Sequence, residues 1–247
     1  MTVTPVPVDL EGMDVAVGVK TPGGAALAVV TPGQQAPLGM TMSLTRRLAL
    51  LAWAQRNDCW IIEDDYLSEL QLKRRAAPAL ASLGGRVLHI GSFSKTISPA
   101  LRLGFMVVPP KLGRRFADLA ACLAPAPSAP VQRAVAQFMR EGHYLRHLRR
   151  MKRLYALRRE SLLRCLGEIA SGSMHVKATA GLAVVVLLPK VTSDVDIASR
   201  ALPFGLAPAA LSPWHMQSPQ QGLLLGVTNL DERRLASDCY KLSELAR

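Results

Sequence analysis

Four short apolar runs punctuate the first half of the chain: ALAVV at 26–30, CWIIE at 59–63, RVLHIG at 86–91 and GFMVV at 104–108. They are rich in branched residues and lack polar alternation, so they predict strands buried on both faces, in a sheet covered by helices. Between the first two lies SLTRRLALLAWAQRND (43–58), which opens on a Ser suited to cap a helix and carries apolar residues at helical spacing. Strand, helix and strand at this spacing make a βαβ unit, hence an α/β sheet. Ligands of such sheets gather beyond the carboxyl ends of the strands. The Asp-Asp-Tyr after the second run and the Ser-Phe-Ser-Lys after the third both fall there.

The stretch LAPAPSAPVQ (123–132) is rich in Pro and Ala and reads as a hinge into a second region. Beyond it, 131–169 predicts helix. Tyr144, Leu148, Met151, Tyr155 and Leu162 form one apolar stripe, with Arg146, Arg149, Arg150, Lys152, Arg153, Arg158 and Arg159 mostly off it. That pattern reads as an amphipathic helix with a solvated basic face, and contact with phosphates is the sharper alternative. From HVKATAGLAVVVLLP to the end, the tail reads as strands and a closing helix.

Composition narrows the class. Apolar residues make up 49% of the 247 positions and charged residues 19%, which is globular rather than disordered. The net charge of +12 suits an acidic or phosphorylated partner, or simply a basic surface. Aromatics at 5% argue against stacking platforms for single strands. Cys59, Cys122, Cys165 and Cys239 form no CxxC pair and read as reduced thiols of a cytoplasmic protein. The start has no signal-peptide pattern, and the longest apolar runs are too short to span a bilayer. His143 and His147 stand at i, i+4 but have no third ligand, so they read as a helix face rather than a metal site.

The stretch HIGSFSKTISPALRLGF (89–105) carries the chemistry. A Lys amine in a partly desolvated pocket has a lowered pKa and forms a Schiff base with an aldehyde. The Ser92 and Ser94 hydroxyls and the Arg102 guanidinium suit a phosphate. A carboxylate from the neighbouring strand end can hold a pyridine nitrogen protonated, and a phenol can hydrogen-bond a ring oxygen. The EDDY sequence at 63–66 supplies both. Together these are the protein groups that pyridoxal 5'-phosphate needs.

GSFSKTISPALRLGF, WIIEDDY and VTPGQQAPLGMTMSLTRRLALL together resemble the fold-type I, pyridoxal-phosphate-dependent aminotransferases. More closely they resemble the aminotransferase-like domain of MocR-type regulators of the GntR superfamily, as do EGHYLRHLRRMKRLYALRRESLL and LSPWHMQSPQQGLLLGVTNL. The resemblance implies an α/β chain: a partial fold-type I transferase with a mixed, mainly parallel sheet covered by helices, then a small α+β C-terminal domain. Residues 1–125 are expected to be the C-terminal half of the large cofactor-binding domain, and 126–247 the small domain with its long basic helix. By motif position Lys95 bonds the cofactor covalently, and Ser92, Ser94 and Arg102 hold its phosphate. Asp64 pairs with the pyridinium, with Asp65 as the fallback, and Tyr66 faces the ring oxygen.

Three departures shape the functional expectation. The chain starts at what resembles the middle of the large domain, so an upstream phosphate-binding turn, a stacking ring and a winged-helix DNA-binding domain are expected to be missing. Where transaminases carry an Arg for the substrate carboxylate, Leu224 stands in GLLLGVTNL. Where many carry an Asn beside the ring oxygen, Ala36 stands. Three readings remain open: a regulator's effector-sensing domain that binds pyridoxal phosphate, a working aminotransferase acting on an amino acid, and a truncated remnant without function. The implied partners are a small amino-acid or vitamin B6 ligand, DNA only through a missing or separate winged-helix domain, and a second copy in a homodimer. No membrane and no metal are expected.

Overall fold

The branched runs become the strands of a sheet whose carboxyl ends carry the chemistry. A computed structural model describes residues 2–20, 24–72, 77–123, 127–169, 174–177 and 181–246. The chain divides into two compact units: residues 1–36 with 40–150, and 37–39 with 151–247.

The first unit opens with a hairpin of β1 (Val8–Asp9) and β2 (Gly12–Met13) and one helical turn, α1 (Val15–Gly18). There follow β3 (Leu27–Val30), α2 (Leu44–Arg56), β4 (Trp60–Asp65), β5 (Val87–Ser92) and β6 (Gly104–Val107). Sheet order is β3-β4-β5-β6, with the first two pairings parallel and β6 antiparallel to β5. Ser43 caps α2 as expected, its hydroxyl accepting from the Arg46 N–H. Leu50 and Ala54 of α2 pack with Val30, Ile61, Leu80 and Val87 into one core cluster.

Burial on both faces does not hold for the whole sheet. Leu27 and Val29 of β3 and all of β6 are exposed, because these are the two outer strands and a parallel sheet must be covered on both faces to hide them. At the β5–β6 pairing Gly91 makes room for the Phe105 ring. A Cβ there would lie 2.2 Å from Phe105 Cζ.

Helices α3 (Gly113–Leu123), α4 (Ala129–Arg140) and α5 (His143–Ile169) come next. Residues 124–126 of the Pro- and Ala-rich hinge lie outside the described residues. The division into units falls within α5, between Arg150 and Met151. Along that helix Tyr144, Leu148 and Leu162 are buried, as the stripe predicts, and Arg146, Arg149, Arg150 and Arg153 face solvent; Arg159, expected on the solvated basic face, is instead buried, at 4% exposed.

The second unit is α+β. Strands β7 (His175–Lys177), β8 (Ala183–Leu187), β9 (Ala209–Ala210) and β10 (Gly222–Gly226) form an antiparallel sheet in the order β7-β8-β10-β9, with helices α6 (Asp194–Ala201) and α7 (Leu235–Leu245). Asp194, fully buried, holds its corner by accepting from the N–H groups of Leu211, Ser212 and Gly222 and from the Ser212 hydroxyl. Cys59, Cys165 and Cys239 are buried free thiols, and Cys122 is exposed. Among the described residues no helix is long and apolar enough to cross a membrane.

Candidate functional site

Register places the chemistry at one end of the first sheet. Asp64 lies opposite Ile90 and Asp65 opposite Gly91, so the last residues of β4 and β5 sit side by side. Neighbouring strands are about 4.8 Å apart, so the end of EDDY and the start of SFSK emerge next to each other. Ser92 pairs with Gly104 at the start of the antiparallel β6, which brings Arg102 to the same end.

The two carboxylates part company there. Asp65 is committed to structure: it accepts from the Ser68 N–H at 3.0 Å and from the Ser68 hydroxyl, fixing the turn at Ser68–Leu70. Asp64, one residue back on the opposite face of the strand, makes no hydrogen bond or ion pair among the described residues. The protein packed along its flank, and then the negative charge of Asp65, raise its carboxyl above the ordinary value of 3.8. Burial, with Asp64 adding to it, pushes the Tyr66 phenol up to about 12, so near neutral pH Tyr66 is a hydrogen-bond donor.

After β5 the chain makes one tight turn. Ile97 and Ser98 both donate their N–H to the Phe93 carbonyl, and Ser94 donates its N–H to the Ser92 hydroxyl oxygen at 3.1 Å. Lys95 rides at the crest of this turn and is exposed. The sequence leads one to expect a partly desolvated amine there, but the described residues leave Lys95 exposed. Arg102, also exposed, closes the following turn with φ 49° and ψ 38°, a left-handed conformation that costs a non-Gly residue about 1 kcal/mol.

Beneath the site lies a buried polar network that the sequence pattern did not reveal. Glu63, only 2% exposed, accepts from the N–H groups of Leu80 (2.7 Å) and Ala81 (3.1 Å), and its other partner is His89 Nδ1 at 2.9 Å. Arg47, 1% exposed, donates to the carbonyls of Met42, Pro78 and Pro32 at 2.6–2.9 Å. It thereby pins both ends of the loop that follows β3. Burial alone would raise the Glu63 carboxyl, but His89 and the two N–H donors outweigh it and hold it below 4.5. The Glu63 bond raises His89 above 6.5.

The two shifts define a pH window. A raised His contributes stability that is complete below its unfolded value of 6.5 and is lost as pH rises through the folded value; a lowered Glu contributes above 4.5 and is lost as pH falls below. Unfolding free energy is therefore expected to fall as pH rises from 6.5 through the raised folded value of His89. Urea titrations at both ends of that range should show a smaller fall in His89→Gln.

Structure thus brings Asp64, Tyr66, Ser92, Ser94, Lys95 and Arg102 to one end of the sheet. Leu224, in the second unit, is 9% exposed in the core of its own sheet, in a cluster with Val185 and Leu211. Ala36 is half-buried in the loop after β3. A groove of about 770 Å³ runs between residues 2–8 and β3, and none of the six site residues lines it.

Over residues 2–204 the sequence matches the family described as aminotransferase class I and II. The probable rhizopine catabolism regulatory protein MocR of Rhizobium meliloti is 37% identical over 235 residues, covering 94% of this chain and 47% of that protein. The pyridoxine biosynthesis transcriptional regulator PdxR of Corynebacterium glutamicum is 34% identical, covering 84% of this chain and 46% of that protein. The chain spans about half the length of these curated relatives. Among solved structures, the kynurenine aminotransferase of Pyrococcus horikoshii superposes with a TM-score of 0.86 at 25% identity, covering 98% of this chain and 62% of that one. The α-aminoadipate aminotransferase LysN of Thermus thermophilus, solved with N-(5'-phosphopyridoxyl)-L-leucine, gives 0.87 at 25% identity over 98% and 64%.

Proposed function

Because this chain belongs to the aminotransferase class I and II family, we propose that it is the effector-sensing, pyridoxal-phosphate-binding domain of a MocR-type transcription regulator. Its fold is that of the fold-type I pyridoxal-phosphate-dependent aminotransferases. The cofactor of that family is pyridoxal 5'-phosphate, and the donor set at the ends of β4 and β5 fits it. Lys95, Asp64 and the Arg102 guanidinium have no hydrogen bond or ion pair to another described residue. They are polar groups left free at one place.

When bound, pyridoxal phosphate supplies an aldehyde open to amines and a ring that draws in electrons. Lys95 Nζ is the amine that attaches it. Asp64, rather than the turn-capping Asp65, receives the pyridinium proton's hydrogen bond, which lowers the cost of its negative charge. Tyr66 donates its O–H to the ring oxygen. Ser92 and Ser94 donate hydroxyls to the phosphate, and Arg102 offers it a planar pair of N–H donors. Residues 1–125 belong in this reading to the large cofactor-binding domain, and 126–247 to the small one.

The observation that carries sensing over turnover is Leu224. A transaminase needs a guanidinium for the substrate carboxylate, and here that position is a core Leu paired with Val185 and Ala209. An amino acid would then bind without its bidentate partner. The regulators among the relatives support the same reading. The partners that follow are an amino-acid or vitamin B6 ligand, DNA reached through a winged-helix domain, and a second copy of the chain, in the cytoplasm.

Loading the protein with pyridoxal phosphate and then adding amino acids tests this. Cofactor is expected to bind and to remain pyridoxal phosphate, read by chromatography after denaturation. Stoichiometric conversion into pyridoxamine phosphate within minutes would favour the aminotransferase reading instead. Folded protein that binds no cofactor would leave only a remnant of the family.

A further inference from the structure

Lys95 is exposed among the described residues, and the backbone of residues 93–98 is what holds it. What holds that backbone comes from far along the chain. His147 Nε2 lies 2.8 Å from the carbonyl oxygen of Thr96, the residue after Lys95. A carbonyl only accepts, so Nε2 carries the hydrogen. Thr96 is 3% exposed, and there a hydrogen bond left unmade costs the full desolvation of the group.

One turn earlier on the same helix, the Tyr144 hydroxyl donates to Glu69 Oε2 at 2.5 Å, in the turn just beyond Tyr66. The Tyr144 ring meets Phe93 edge-on at 6.0 Å and 74°. Phe138 of α4 packs edge-on against both Tyr144 and His147, at 6.4 and 6.2 Å. Burial and Glu69 raise the Tyr144 phenol, so it stays a donor across the neutral range.

We infer that His147 and Tyr144, in the first two turns of α5, are positioning residues that clamp the Lys95 turn and the turn after Tyr66 in one arrangement. The inference rests on the cofactor role proposed for Lys95. Neither residue touches the reacting amine. Each fixes a strand-end turn that carries a cofactor group, and small displacements of a reacting group are costly to bond formation. His147 serves the covalent anchor through Thr96, and Tyr144, whose ring meets Phe93, ties that anchor to the turn bearing Asp64 and Tyr66.

The test uses wild type, His147→Leu, His147→Gln and Lys95→Ala. Gln is chosen because its amide N–H can stand in for Nε2–H. Two quantities are read: amide hydrogen exchange of residues 93–98 without added cofactor, with α2 amides as an internal standard of folding, and the Lys95-dependent absorption band on titration with pyridoxal phosphate. His147→Leu is expected to speed exchange at Ile97 and Ser98 and to weaken Lys95-linked binding, each about fivefold to tenfold. His147→Gln is expected to restore most of both.

Unchanged exchange in His147→Leu would overturn the clamp. Faster exchange with unchanged cofactor affinity, or no recovery in His147→Gln, would reduce it to a structural contact and overturn the positioning role. If wild type itself gives no Lys95-dependent band, the cofactor reading fails and takes the positioning role with it. The exchange data would still say whether His147 holds the turn, so the two failures are distinct.

Discussion

Glu63→Ala is expected to lower the unfolding free energy by about 3–5 kcal/mol, the cost of removing one partner from a buried ionic pair. The Glu63 carboxylate serves Leu80, Ala81 and His89 at once and lies in the field of Arg47. Its removal leaves two backbone N–H groups without that acceptor and takes from His89 and Arg47 the stronger of the two negative charges near them, Asp65 remaining. Domains are held by about 5–15 kcal/mol in total, so the loss is a large share. Urea denaturation followed by circular dichroism measures it. Glu63→Gln should cost less, since its amide oxygen still accepts. A change in Glu63→Ala below about 1 kcal/mol would mean that the network does not support the ends of β4 and β5.

Arg102→Gly is expected to act in the opposite sense on stability and binding. The left-handed backbone at Arg102 is one that Gly adopts without penalty, so the fold should be unchanged or firmer by up to about 1 kcal/mol. In the proposed role the guanidinium makes charged hydrogen bonds to the phosphate worth about 1.5–3 kcal/mol. Its loss should therefore weaken pyridoxal phosphate binding roughly 10- to 100-fold. Calorimetric titration beside a thermal melt separates the effects. Equal affinity in Arg102→Gly and wild type would remove Arg102 from the phosphate site.

The strands were legible because short branched runs without alternation have few other outcomes. All four appear within two residues of the expected bounds, and Ser43 caps α2 as its place before an amphipathic run implied. What the runs could not tell was coverage: β3 and β6 look like inner strands in composition, yet they are the outer ones. EDDY and SFSK were legible as a joint pattern at strand ends. Asp64 and Asp65 could not be separated by sequence, since alternation along β4 and the Ser68 turn decide which one is spent on structure.

The buried network was hidden for a related reason. Glu63 ends an apolar run and reads as a strand terminus, while its partners Leu80, Ala81 and His89 lie 17–26 residues away. Arg46 and Arg47 are adjacent and alike, but Arg46 pairs with Asp9 at the surface and Arg47 is buried among carbonyls. His147 read as one of two helix-face histidines, and its Thr96 contact spans 51 residues. Each of these depends on pairing that local periodicity does not encode.

In the proposed function the end of β5 holds pyridoxal phosphate through Lys95. An absorption titration with pyridoxal phosphate, followed by borohydride trapping and peptide mapping, tests it in wild type and Lys95→Ala. A new visible band and a reduced adduct on Lys95 are expected in wild type, and neither in the mutant. Folded wild-type protein with no Lys95-dependent band, or a trapped adduct on other lysines alone, would contradict it.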